Sequence, residues 1–97
     1  MAVIVTASVT IKPDKVAEAI AFMKERLPDT RSAVGCQFLE VSVDRDRPEV
    51  LFSYSRWDSI EHYGTYTAWR TETGVMAAFG EFVAEPPVTT FYETIDL

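Results

Sequence analysis

Ninety-seven residues set the scale of one domain, because a chain this short buries only about 60–65% of its unfolded surface and cannot build a second core. The composition, 47% hydrophobic and 25% charged with little Pro or Gly, excludes a disordered or fibrous chain. A net charge of −6 with scattered Lys and Arg repels phosphate backbones and anionic lipid, while a single cysteine, Cys36, and a single histidine, His62, exclude an internal disulfide and a structural zinc site.

Residues 3–11 alternate, with Val3, Val5, Ala7, Val9 and Ile11 on one face and Ile4, Thr6, Ser8 and Thr10 on the other, which predicts a strand. The apolar opening has no positive n-region and is broken at period two by Thr and Ser, so it reads as that strand and not as a leader. The chain is therefore expected to be cytoplasmic, one domain over residues 1–97, without a membrane segment. Asp14 is placed to cap a helix whose stripe is Val16, Ile20, Met23 and Leu27, and Pro28 is expected to stop it or tighten its last turn. A second strand is predicted over Cys36–Val43, with Leu39, Val41 and Val43 on one side and Cys36, Phe38, Glu40 and Ser42 on the other. The charged turn Asp44-Arg45-Asp46-Arg47-Pro48 joins it to a third strand, Glu49–Trp57, as an antiparallel hairpin.

Asp58 with Glu61 three residues on predicts a capping box and the start of a second helix. Gly64 and the threonines at 65, 67, 71 and 73 weaken that helix, and Gly74 is expected to separate it from a last helical stretch over Val75–Val83. Pro86-Pro87 closes the stretch, and Val88–Ile95 is the fourth predicted strand. The order β-α-β-β-α-β folds into an α+β, ferredoxin-like domain: a four-stranded antiparallel sheet with both helices on one face. Ile4, Phe38, Phe52, Tyr54 and Phe91 or Tyr92 cannot all share that face, so the second face needs cover, and a two-fold copy of the same chain is the expected cover.

Several pieces carry a family resemblance: Val3-Ile4-Val5 with Ile11-Lys12-Pro13 at a helix opening, Val34-Gly35-Cys36 leading the second strand, Tyr54-Ser55-Arg56-Trp57 with Asp58, and Glu85-Pro86-Pro87 before the last strand. Over nearly its whole length the chain resembles the antibiotic biosynthesis monooxygenase family of dimeric α+β barrel proteins. The resemblance implies a homodimer and one of several chemistries: cofactor-free oxygenation of aromatic polyketide quinols, haem degradation, or isomerisation of small phosphorylated sugars. The oxygenase branch surrounds its substrate with an Asn near the end of the third strand, a Trp closing that strand and a Tyr early in the next helix. Trp57 and Tyr63 stand at the matching positions, the Asn is replaced by Ser53, and Tyr66 stands where many members carry His. Haem degradation relies on an Asn and a His beside the Trp, and this sequence contains no Asn.

Oxygenation without metal or flavin requires a substrate that can become an electron-rich anion, so the protein need only bind it, deprotonate it and steady its charge. An apolar, aromatic-lined cavity suits a planar phenol or quinol. The candidate catalytic residues are accordingly Trp57, Tyr63 and Ser53. Tyr66, Phe38, Phe52, Met76 and Phe79 are candidates to line the cavity, with His62 as a polar contact whose ordinary pKa suits acid–base work. Plainer roles stand beside these: Trp57 as a core plug, Tyr63 as helix packing, His62 as a solvated helix end, Trp69 as packing and Cys36 as a small buried hydrophobe. No metal, no cofactor and no nucleic-acid or membrane partner is implied. The expected activity is a cofactor-independent monooxygenase using O₂ on a phenolic or quinol-type aromatic; the alternatives are an isomerase or cyclase of the same fold, or a non-catalytic dimeric ligand-binding protein.

Overall fold

The computed structural model describes residues 2–97. The first strand, β1, spans Val3–Ile11, and a single 3-10 turn over Pro13–Lys15 leads into helix α1, Val16–Arg31. Asp14 lies inside that turn and caps nothing; Lys15 occupies the N-cap position without a side-chain bond. Strand β2 is Cys36–Val43, β3 is Val50–Trp57, α2 is Ile60–Glu72, α3 is Val75–Gly80 and β4 is Val83–Glu93. The strands form one antiparallel sheet in the order β2-β3-β1-β4.

Several boundaries sharpen or shift the sequence reading. Of the two roles expected of Pro28, it takes the place in the last turn of α1 and does not stop the helix. Only one amide is missing, and the last turn is held instead by the Ser32 hydroxyl, which donates to the carbonyls of Pro28 and Asp29 at 3.1 and 3.3 Å. The last helix stops at Gly80, and the fourth strand starts at Val83 and runs through Pro86-Pro87. That is possible because β4 is an edge strand, where a proline without an N–H breaks few ladder bonds, and the register against β1 slips at Ser8, Thr10 and Ile11. The apolar stripe of α1 is also rotated: Ala19 is fully buried, whereas Ile20 is 46% exposed.

The second helix is capped by Ser59, not Asp58. The Ser59 hydroxyl accepts from the His62 N–H at 3.2 Å and meets His62 Nδ1 at 2.6 Å, so His62 occupies the place that Glu holds in a capping box. Asp58 is engaged elsewhere: its N–H donates to the Gly35 carbonyl at 2.8 Å, and its carboxylate accepts from Gln37 Nε2 at 2.6 Å. Gly35 has φ 89°, and a Cβ there would lie 2.5 Å from His62 Cβ and Cγ, so the imidazole packs directly on this turn. Gly74, at φ 81°, separates α2 from α3 as its position in the sequence predicted.

The helix-facing side of the sheet explains why the core is not continuous. At one end Val3, Val5 and Trp57 pack with Cys36, Tyr63 and Tyr66; at the other Ile11, Ala19 and Leu51 pack with Met23, Phe79 and Phe82. Between them the register aligns Val41, Ser53, Ala7 and Thr89 across the four strands. Ser53 and Ala7, on the two central strands, are too small to reach the helices, so the sequence itself leaves a gap at mid-sheet. A bulge between Cys36 and Phe38 turns Cys36 to the helix side, among Trp57 and its neighbours, and not to the face of Phe38 as strict alternation implied. Burial raises the Cys36 thiol pKa against smaller opposing effects of the Phe38 backbone and the Arg31 charge.

Candidate functional site

The mid-sheet gap is a partly open cavity of about 270 Å³ lined by the inner sheet face and all three helices. Its floor includes Ser53, Ala7 and Thr89; α1 contributes Met23, Leu27 and Thr30, α2 contributes Tyr63, Tyr66 and Arg70, and α3 contributes Met76 and Phe79. Of the nine sequence-predicted site residues, the structure brings six to this cavity: Ser53, Trp57, Tyr63, Tyr66, Met76 and Phe79. Phe38, Phe52 and His62 are not among its walls. Phe52 alternates with Leu51 and Ser53, and Phe38 pairs with Arg56, so both lie on the outer face of the sheet. His62 is taken up by the helix cap and the Gly35 turn.

Trp57 closes β3 at the join with α2 and is 1% exposed. Its ring meets Tyr63 edge-on at 5.4 Å and Tyr66 at 5.1 Å between centroids. Burying an aromatic of this size contributes at most about 4–6 kcal/mol at ~25 cal/mol per Å². The indole N–H is not free: Nε1 donates to Ser55 Oγ at 3.0 Å, and Ser55 Oγ donates to the Val5 carbonyl at 3.2 Å. Trp57, expected as a catalytic residue, therefore offers the cavity a ring wall and no free donor.

The polar groups of the cavity divide by commitment. Ser55, Thr30 and Tyr66 are bonded within the protein. The hydroxyls of Ser53 and Tyr63 make no hydrogen bond to any described residue, although no fully buried side-chain polar atom lacks a partner, so both keep access to the cavity. Burial, with a smaller contribution from neighbouring Tyr66, pushes the Tyr63 phenol above its ordinary pKa. A phenol keeps its proton at neutral pH, so the Tyr63 hydroxyl is available as a hydrogen-bond donor.

Sequence reading missed Arg70 and Thr30. Arg70 looked like one more cation in the last turn of a helix. In the fold it is 3% exposed; Nε donates to the Tyr66 hydroxyl at 3.0 Å, and Nη2 donates to the Arg26 carbonyl at 2.7 Å and to Thr30 Oγ1 at 3.1 Å. Thr30 Oγ1 and the Tyr66 hydroxyl are 2.6 Å apart. The only signals in the sequence were the 3.6-residue spacing that puts Tyr66 and Arg70 on one helix face and the polar Thr30 on the inner face of α1. Among the described residues no group of three or more His, Cys, Asp or Glu side chains converges, and no helix is long and apolar enough to cross a membrane.

The fold is shared with proteins of distant sequence. A conserved protein from Methanosarcina mazei superposes with a TM-score of 0.90 at 20% identity, covering 98% of this chain and 94% of that one. Rv0793 from Mycobacterium tuberculosis gives 0.88 at 21% identity over 100% and 98% of the two chains. A variant of SnoaB, a cofactor-independent oxygenase from Streptomyces nogalater, gives 0.84 at 10% identity over 99% and 95%. No curated protein matches the chain at the sequence level. The sequence model of the antibiotic biosynthesis monooxygenases matches residues 2–93, nearly the whole of the described fold, and the chain belongs to that family.

Proposed function

We propose that the protein is a cofactor-independent monooxygenase acting with O₂ on a small phenol- or quinol-type aromatic. The observation that carries this reading is the apolar cavity at the join of β3 and α2, in which Ser53 and Tyr63 keep hydroxyls with no protein partner. Family membership supports it, as does the likeness to the Streptomyces oxygenase, whose chemistry belongs to that protein. A volume of about 270 Å³ is below the roughly 300–1,000 Å³ usual for drug-sized ligands, and it favours a one- or two-ring substrate over a polycyclic one.

In this reading the aromatic body packs on the Trp57 ring and the aliphatic walls, and the Ser53 and Tyr63 hydroxyls donate to its oxygens. The reduced substrate gives an electron to O₂; the radical pair combines to a hydroperoxide, which expels water and leaves a carbonyl. One oxygen atom of O₂ enters the product and the other leaves as water, so no external reductant is consumed. His62 is too far committed to the helix cap to serve as base, and the walls include no carboxylate. The substrate must therefore ionise readily by itself. Oxygen uptake with 1,4-naphthohydroquinone, run with a chelator and with ¹⁸O₂, tests the reading. Enzyme-dependent incorporation of a single label is expected, and a rate equal to that of the buffer alone would overturn it.

We further propose that the outer sheet face is covered by a second copy of the chain. Phe38, Phe52, Tyr54 and Tyr92 are exposed there, and Phe38 packs edge-on against Tyr54 at 6.1 Å with nothing above them. Glu40 and Arg56 flank this patch on the same face, so a two-fold copy can set opposite charges against each other around an apolar centre.

A further inference from the structure

We propose that Arg70, supported by Tyr66 and Thr30, forms an anion subsite in the cavity that takes the charged oxygen of a planar organic anion, a carboxylate or an ionised phenol. This rests on the same cavity as the oxygenase reading and adds what its ligand must carry.

A guanidinium has five N–H donors. Three are spent, one on Tyr66, one on the Arg26 carbonyl and one on Thr30. Among the described residues the two on Nη1 meet no acceptor, yet no buried side-chain nitrogen there is left without a partner. Nη1 therefore keeps its accessible surface, and Arg70 is a wall of the cavity. A charge taken this far out of water is costly unless paired. Among the described residues no carboxylate lies within ion-pair distance of Arg70. The rings of Trp69 and Tyr66, 4.6 and 5.4 Å from Cζ, compensate only in part.

The hydroxyls point the same way. Thr30 and Tyr66 both accept from Arg70, and one of their two protons bridges the pair. The second proton has no acceptor among the described residues and is free to donate. Two guanidinium protons and one hydroxyl proton thus remain for a group that only accepts. The wall holds two arginines, Arg26 and Arg70, and no Asp or Glu, in a chain whose net charge is −6. Arg26 already has Glu25 at 3.4 Å. A clamp between α1 and α2 would need only Nε and Nη2, so it does not explain the unspent end of Arg70.

Paired ligands of one shape and two charges test this, bound anaerobically and read by calorimetry: 2-naphthoate against 2-naphthamide for a carboxylate, and 4-nitrophenolate against 4-nitroanisole for an ionised phenol. A hydrogen bond to a charged group predicts a preference of about ten- to hundredfold for the anion of at least one pair. Arg70→Gln should bring that preference to within about twofold while the neutral partner binds as before, and Arg70→Lys, which keeps the charge and not the planar fork, should keep only part of it. If Arg70→Gln does not fold, the wild-type preference and its partial loss in Arg70→Lys decide. Equal binding of anion and neutral partner by the wild type, no binding of any probe, or an undiminished preference in folded Arg70→Gln would overturn the proposal. Because no turnover is measured, anion selectivity without oxygen uptake would sink the oxygenase reading and leave the subsite standing.

Discussion

Replacing Trp57 with Phe separates a structural indole from a catalytic one. The N–H bond to Ser55 Oγ is lost, which costs about 1 kcal/mol, and the smaller ring leaves a void among Val3, Val5, Tyr63 and Tyr66 that costs about 1–2 kcal/mol more. A loss of about 2–3 kcal/mol is a large share of the roughly 5–15 kcal/mol expected of a small domain, and at about 4–8 °C per kcal/mol it lowers the melting temperature by about 10–20 °C. Ser55→Ala should cost a similar amount, since it strands the buried N–H. The double variant should cost less than the sum, because both changes break the same bond. Urea unfolding at fixed protein concentration measures all three, with turnover assayed where each variant is folded. Rate should fall by less than tenfold. A Trp57→Phe protein of unchanged stability that has lost about 10²-fold in rate would show that the indole N–H serves the substrate and that the Ser55 contact does not hold it.

Tyr63→Phe should spare stability at neutral pH and lower turnover by about 10-fold or more, because the free hydroxyl serves only the ligand. Since burial raises the folded pKa of Tyr63, the stabilisation linked to its proton is complete below about pH 10 and fades as pH rises through the folded value; Tyr63→Phe should therefore lessen the alkaline loss of stability in pH-jump unfolding, and an unchanged profile would contradict the assigned cause. Ala7→Leu should fill the gap beside Ser53, leave the melting temperature unchanged or raised, and abolish aromatic ligand binding in calorimetry; unaltered affinity would move the ligand elsewhere. Light scattering at micromolar concentration should report a dimer, and Phe38→Glu should shift it to monomer or unfold it, since an unpaired charge in a dry interface costs several kcal/mol; a wild-type monomer of 10.9 kDa refutes the covered face.

Alternation made the sheet legible. β1 and β2 have the bounds that period two predicts, and β3 differs by one residue at its start, because side-chain direction along a strand is a local property. The element order and the helix break at Gly74 were equally local. What the sequence could not show were the places where a distant partner decides. Pro86-Pro87 reads as a breaker until the strand is known to lie at the sheet edge, and Asp58 reads as a cap until Gln37 and Gly35 are seen to claim it.

The site shows the same division at higher stakes. Position is written in the strand: Ser53 and Trp57 share a parity, so both face the helices. Commitment is not written there. Whether the indole N–H is spent depends on a hydroxyl two residues back that itself donates across to β1, and whether Arg70 is spent depends on Thr30 and Arg26, 40 and 44 residues earlier on α1. Only a group left with a proton and no acceptor can meet a ligand without breaking an existing bond. By that criterion the residue most conspicuous in the sequence, Trp57, becomes a wall, and the proposed ligand contacts pass to Ser53 on the sheet floor and to Tyr63 and the unspent end of Arg70, two turns apart on one face of α2.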